Sequence, residues 1–228
     1  MPLVTLSRQF GSWGDEIGQD VALALGVSYV DREIIKTVAQ RMEAPEQVIS
    51  DIEEKSPTVA KRVANAIIQA FADGTRLAPL VGVVPAPVLT VPEEQELENE
   101  PAVLTFDLND TLYLNFVRQV IREVAQSGNV VVVGRATHLL LKDMRALHVH
   151  VVAPIDLRVE RVMLDRSCTR EAAEKMVHNS DSARESYTSR FYHSRWSDPT
   201  LYHMTVNTGM LTREQACDLI VAAVRQIH

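Results

Sequence analysis

The 228-residue chain has only two cysteines, Cys168 and Cys217, far apart and in no CxxC pair. That leaves no disulfide framework and no zinc knuckle. No apolar run approaches the roughly 20 residues a bilayer-crossing helix needs, so no membrane association is expected. The opening MPLVTLSRQFG has no basic stretch followed by a long apolar one, so a cleaved export signal is not expected either, and a cytoplasmic location is. The seven histidines spell no HExxH, and metal ligation by them is not anticipated. Basic charge is also scarce: 23 Lys and Arg against 30 Asp and Glu give a net charge of −7, which argues against a nucleic-acid polymer as partner.

What is present is a globular composition, 46% hydrophobic and 23% charged, at a length that suits one domain over residues 1–228. Charge is unevenly spread. Glu93, Glu94, Glu96, Glu98 and Glu100 crowd together, whereas Arg135, Arg145, Arg158, Arg161, Arg166, Arg170, Arg184, Arg190 and Arg195 lie in the last two fifths. An arginine-rich half suits a small anionic ligand, although any single arginine taken alone reads better as a solvated helix charge.

Leu3 to Leu6 is β-prone and runs into a loop, Gly11-Ser12-Trp13-Gly14, followed by Ile17, Val21, Ala24 and Leu25 at helical spacing. Gly26 ends that helix, Val27 to Val30 read as a second strand, and another helix is expected to begin near Asp31. Residues 46–73 show a helical apolar stripe. Between Pro79 and Pro101 five prolines accompany the glutamates and no period survives, so 76–108 is expected to be a mobile insertion. A helix capped by Asp110 or Thr111 should end at Gly128. Asn129 to Val133, nearly all valine, reads as a strand buried on both faces of a parallel sheet, and Leu147 to Val152 as another. A helix begins at Ile155 and an arginine-studded helical region runs to about Phe191; Met204 to Val206 is a last strand, and Thr212 caps a last helix. Alternating strands and helices predict an α/β fold with ligands at the strand C-termini.

Three places are candidates for chemistry. The loop after the first strand leads into a helix N-terminus, an arrangement that suits anions. Against the phosphate-loop pattern GxxxxGK[ST], Arg8 stands on the first glycine, Trp13 on the second, Gly14 on the lysine and Asp15 on the Ser/Thr. Gly134-Arg135 follows the valine strand directly, where a guanidinium fork would face the cleft. Asp181 and Arg184, three apart on a helix, share a face and either contact one ligand together or pair with each other.

The stretches VTLSRQFGSWGDEIGQDVALALGVSYVDREII, GNVVVVGRATHLLL, APIDLRVERVM, DSARESYTSRFYHSRWSDP and VNTGMLTREQACDLI together resemble the cytidylate kinase-like family, across the chain except about residues 76–108. The resemblance implies a P-loop NTPase-type parallel sheet flanked by helices, with a lid and acceptor-binding segment over 158–198. It implies transfer of a phosphoryl group from ATP, with Mg²⁺, to a nucleoside monophosphate, CMP or dCMP. A homodimer is a further candidate assembly.

By the same resemblance Gly11, Ser12, Trp13, Gly14, Asp15 and Glu16 would surround the donor phosphates, with Asp15 and Glu16 toward the metal. Asp31, Arg135, Asp181, Arg184 and Arg190 would bind the acceptor, and Arg158 and Arg161 would close the lid, with Arg8, Asp15, Arg158 and Arg161 the catalytic set. Two departures bear on activity: the loop lysine is absent, and Trp13 stands where the family motif has glycine. A non-catalytic nucleotide-binding or regulatory protein on the same fold is therefore the alternative.

Overall fold

The computed structural model describes residues 2–31 and 118–227. The expected helices after Asp31 and over 46–73, the caps at Asp110 or Thr111 and the insertion at 76–108 lie outside these residues. The described residues fall into two units: 2–31 with 124–227 carry the sheet and everything discussed below, and 118–123 belong to the other and are helical. Among the described residues no helix is long and apolar enough to cross a membrane.

The chain runs β1 (Leu3–Arg8), α1 (Gly14–Leu25), β2 (Ser28–Val30), β3 (Val130–Val133), α2 (Thr137–Leu140), β4 (Leu147–Val152), α3 (Ile155–Arg166), α4 (Arg170–Tyr192), β5 (Met204–Asn207) and α5 (Arg213–Ile227). The strands form one sheet in the order β2-β3-β1-β4-β5, with every pairing parallel. The three apolar runs expected as inner strands are β1, β3 and β4, and they are adjacent, with β1 at the centre. Because all five strands point the same way, their C-terminal ends line one edge, where α/β proteins gather ligands.

Strand periodicity divides the core into two layers of different chemistry. Val4 and Leu6 of β1 and Leu147, Val149 and Val151 of β4 face one side, where they pack with Ile17, Val21 and Ala22 of α1 and Ala216, Ile220 and Val224 of α5. Ala24, expected on the α1 stripe, is exposed, and Gly18 and Ala22 complete the buried face instead. The helix expected from Ile155 and the arginine-studded helical region after it are two helices: Ser167 turns left-handed at φ 50, and Thr169 restarts the chain by accepting a bond from the Ala172 N–H. Thr212 and Gln215 cap α5 reciprocally, each side chain accepting from the other's backbone N–H at 3.2 and 3.0 Å.

The opposite face of the sheet is polar and aromatic. Thr5 and Ser7 alternate with the apolar residues of β1, as His148 and His150 do on β4, and all four are buried. Thr5 Oγ1 lies 2.7 Å from His148 Nδ1, and the Trp196 indole N–H donates to Ser7 Oγ at 2.7 Å. Tyr202 lies against both His138 and His150, and its hydroxyl donates to the Trp196 carbonyl. Burial holds these imidazoles neutral: His138 is pushed down to about 3, and His148 and His150 to about 4. His203 adds to the depression at His148, whereas Asp181 partly opposes it at His150.

This layer makes the fold acid-sensitive. The unfolded chain binds these protons near pH 6.5 and the folded chain only near pH 3 to 4, so stability is complete above 6.5 and is lost as pH falls through that window. Thermal melts between pH 7.5 and 5, above the range where ordinary carboxylates titrate, should show the melting temperature dropping below 6.5. A flat profile over that range contradicts the buried neutral layer.

Candidate active site

The end of β1 is stitched to β4 before the loop begins. The Gln9 N–H donates to the Val151 carbonyl at 3.0 Å, and Gln9 Oε1 accepts from the Ala153 N–H at 3.0 Å. Ser12 is buried with its hydroxyl donating to the Gln9 carbonyl, which takes this side chain out of any ligand set. The loop's carbonyls are held from outside: Phe10 O accepts from Arg158, Gly11 O from Arg161 and Ser12 O from the Thr208 hydroxyl. The chain enters α1 through Trp13, left-handed at φ 63, and the first-turn N–H groups of α1 have no carbonyl to bond within the helix. The loop thus brings a helix N-terminus to the C-terminal edge of the sheet.

Arg8 dominates the open edge. Its stem crosses Gly14 so closely that a methyl carbon there would lie 2.2 Å from Arg8 Cβ. Its guanidinium reaches the end of β3, where a methyl carbon on Gly134 would lie 2.6 Å from Nη1. Arg8 Nε donates to Asp15 Oδ1 at 3.0 Å. Arg8 also stands near enough to Arg184 that the two cations repel; burial and this repulsion together draw the Arg184 guanidinium down to about 10. Burial first, then the charges of Asp31 and Asp15, hold the Tyr29 phenol above its usual range, while Arg8 opposes them. Arg8, Asp15, Tyr29, Asp31, Asp181 and Arg184 therefore share one electrostatic neighbourhood, built from the ends of β1 and β2, the start of α1 and the middle of α4.

The β3 end is conformationally unusual. Gly134, Arg135 and Ala136 all have left-handed φ, at 84, 55 and 51°. A non-glycine residue in that region costs about 1–2 kcal/mol, and such strain concentrates at functional sites. Arg135 stands over the Tyr187 ring of α4, 5.7 Å from its centroid.

Asp181 and Arg184, expected on one helix face, do pair, at 3.2 Å. Asp181 does more than that. Its Oδ1 accepts from the Phe10 N–H at 3.0 Å and its Oδ2 from Arg158 at 2.5 Å, so one carboxylate ties α4 to the loop and to α3. Arg158, expected as a lid residue, is 6% exposed and donates further to the carbonyls of Ala153 and Phe10, which makes it a fixed strut. Arg190 is exposed beside the Phe191 ring; six residues beyond Arg184 on a helix, it points off that face.

Arg161 behaves differently from Arg158. Its guanidinium lies 3.4 Å from the centre of the Trp13 ring and donates to the hydroxyl and carbonyl of Thr208 at 2.9 and 2.8 Å. Both residues line a cavity of about 560 Å³ with Thr208, Gly209, Met210 and Arg213. Glu16, exposed on the first turn, supports the charges of Arg161 and Arg213, whereas Asp15 is bonded to Arg8. Consecutive helix positions point about 100° apart, so the two carboxylates serve different cations. Among the described residues no group of three or more His, Cys, Asp or Glu is arranged to hold a metal ion.

Tyr29 and Thr208 stand at this edge and in the cavity wall although sequence reasoning singled out neither, whereas Gly134, singled out together with Arg135, gives room to the Arg8 guanidinium. For Thr208 a signal existed: VNTG is a strand end followed by glycine, the same grammar as GR after β3.

The hub role of Asp181 has a measurable consequence. Asp181→Ala leaves the Arg158 cation buried without its carboxylate, a loss on the order of 3–5 kcal/mol. Urea denaturation should show that fall; a variant within about 0.5 kcal/mol of wild type contradicts the hub.

The comparisons with known proteins agree with this architecture. Over 105 residues the chain is 33% identical to a cytidylate kinase from Aeropyrum pernix, a match covering 46% of this chain and 60% of that protein. Over 105 residues it is 32% identical to a uronate isomerase from Corynebacterium glutamicum, covering 46% of this chain and 20% of that one. The chain thus spans less than two thirds of either curated relative. An uncharacterized protein from Eubacterium ventriosum, seen in a crystal structure, superposes with a TM-score of 0.60 at 16% identity, covering 99% of both chains, and so shares the fold. The profile of the cytidylate kinase-like family matches residues 3–210, from β1 through the turn after β5 and including every residue of the arginine-lined edge. The chain belongs to the cytidylate kinase-like family.

Proposed function

We propose that the protein transfers the γ-phosphoryl group of ATP to a nucleoside monophosphate, with CMP or dCMP as acceptor. The observation that carries this reading is the path of Arg8 over Gly14. In the phosphate-loop pattern the lysine stands at the Gly14 position; here a cation from the first-glycine position lies across that glycine. The loop has exchanged glycine and cation rather than lost the cation, and a guanidinium serves the charge of a transferring phosphoryl group.

The donor phosphates sit on the first-turn N–H groups of α1, and the cavity lined by Trp13, Arg161 and Thr208 takes the donor's base. Asp15, bonded to Arg8 through Oδ1, fits the single carboxylate that Mg²⁺ takes from a protein while phosphates and water fill its other positions. Glu16, turned toward Arg161 and Arg213, does not. When bound, the metal would neutralise phosphate charge. The acceptor phosphate lies among Arg8, Arg135 and Arg184, where an anion relieves the repulsion between Arg8 and Arg184. Asp31 stands at the adjoining β2 end for the acceptor nucleoside. Asp181 and Arg158 act by positioning, and Arg190 has no part in the site so drawn.

One observation favours the alternative, nucleotide binding without turnover: Asp15 neutralises the cation on which transfer depends. ADP release measured across ribo- and deoxyribonucleoside monophosphates with ATP and Mg²⁺ separates the two. Turnover with a cytidine acceptor is expected; saturable binding of ATP with no ADP release for any acceptor overturns the kinase reading.

Arg135→Lys should weaken CMP binding by about 2 kcal/mol, the scale of a hydrogen bond to a charged group, because an ammonium cannot copy a bidentate fork. Calorimetric titration of CMP measures it, and equal affinities remove Arg135 from the acceptor site.

A further inference from the structure

The side chain of Trp13 is out of place by any local rule. It stands at the N-cap of α1, makes no capping hydrogen bond, and holds the left-handed φ of 63° that the family's glycine adopts freely and a bulky residue resists. Strain of this kind persists when the surroundings impose it. Here the surroundings are the apolar core between α1 and α5, against which the ring packs, and Arg161, whose guanidinium covers the indole at 3.4 Å. That guanidinium is itself immobilised by Gly11 O at 3.3 Å and by the hydroxyl and carbonyl of Thr208. The result is a rigid pair of planar groups, indole and guanidinium, on the wall of a cavity of about 560 Å³ that continues past Gly209 to exposed Met210. Planar cations and aromatic rings are the surfaces on which nucleobases stack, and stacking grows with ring area. A cavity of this size accepts a bicyclic base with room to spare.

We infer that Trp13 is a specificity-determining residue for the donor: with Arg161 it forms a stacking platform that selects a purine nucleoside triphosphate by its base, independently of its phosphates. The inference rests on the cavity being the donor-base site. It also gives the departure from the family's glycine a purpose, since the bulk sits on the base side of the loop and leaves the first-turn N–H groups of α1 to the phosphates.

The test compares ATP, CTP and inorganic tripolyphosphate, which carries the phosphate chain without a base, by calorimetry on the wild-type chain, Trp13→Gly and Trp13→Phe. Glycine removes the ring and relieves the φ strain, so the variant keeps its fold, which a thermal melt verifies. In the wild type, ATP should bind at least tenfold tighter than tripolyphosphate and several-fold tighter than CTP. In Trp13→Gly both ratios should collapse toward one while tripolyphosphate affinity holds, and Trp13→Phe should keep part of each ratio. Unchanged ratios in Trp13→Gly, or wild-type ATP binding no tighter than tripolyphosphate, overturn the platform while leaving the kinase reading in place. Failure of the wild type to bind either ligand overturns the phosphate-loop reading, and the platform with it.

Discussion

Arg8 runs in a slot between two glycines, and the charged edge of the sheet depends on that slot. Gly14 yields the space for its stem and Gly134 the space for its guanidinium. The two glycines lie 120 positions apart, one opening α1 and one following β3, and they flank the same side chain because β1 and β3 are hydrogen-bonded neighbours in a parallel sheet. A side chain at either position would displace the cation, and with it the counter-charge of Asp15, the repulsion on Arg184 and the setting of Tyr29. On the proposed reading, the arrangement accounts for a loop that departs from the phosphate-loop pattern as a string yet keeps a cation over the Gly14 position.

Around that slot the protein spends buried polar groups on rigidity. The loop from Gln9 to Ser12 is held by β4, by Arg158 and Arg161 of α3, by Asp181 of α4 and by Thr208 beyond β5. A loop fixed from so many elements presents its N–H groups without reorganising, which is how electrostatic stabilisation of a charged transition state is obtained cheaply. The same logic explains why Arg158 and Arg161, two lid candidates three residues apart, diverge. Arg158 turns inward as a strut, whereas Arg161 reaches the Trp13 ring and the cavity.

The sheet was legible because its signals are local. A run of four valines between glycines has no reading as good as a strand covered on both faces, and β3 is that strand. The cap on α5 was visible as Thr212, to which the structure adds Gln215 Oε1 accepting from the Thr212 N–H. The site was legible as residue types and not as roles. Asp181 and Arg184 are three apart, so their pairing could be anticipated, but the bond from Asp181 to the Phe10 N–H spans 171 positions and leaves no local trace. Left-handed φ at Trp13, Arg135 and Ala136 was hidden because propensity assigns that region to glycine. The histidine layer escaped for a related reason: alternation on β4 shows that His148 and His150 share a face, but only the fold shows that Trp196, Tyr202 and His138 cover it.

The central claim is that the loop has exchanged the positions of glycine and cation, and a reciprocal swap tests it most directly. Phosphoryl transfer from ATP would be timed in Arg8→Gly, in Gly14→Lys and in the double variant. Arg8→Gly should lose on the order of a thousandfold in rate, the scale on which a charge-stabilising arginine acts in phosphoryl transfer. Gly14→Lys alone should also fail, because the new side chain meets the Arg8 stem. The double variant, which restores the ordinary order of glycine and lysine, should recover a large part of the rate, a coupling that only neighbouring groups in one function show. An Arg8→Gly variant with undiminished rate, or a double variant no better than the worse single one, would contradict the account.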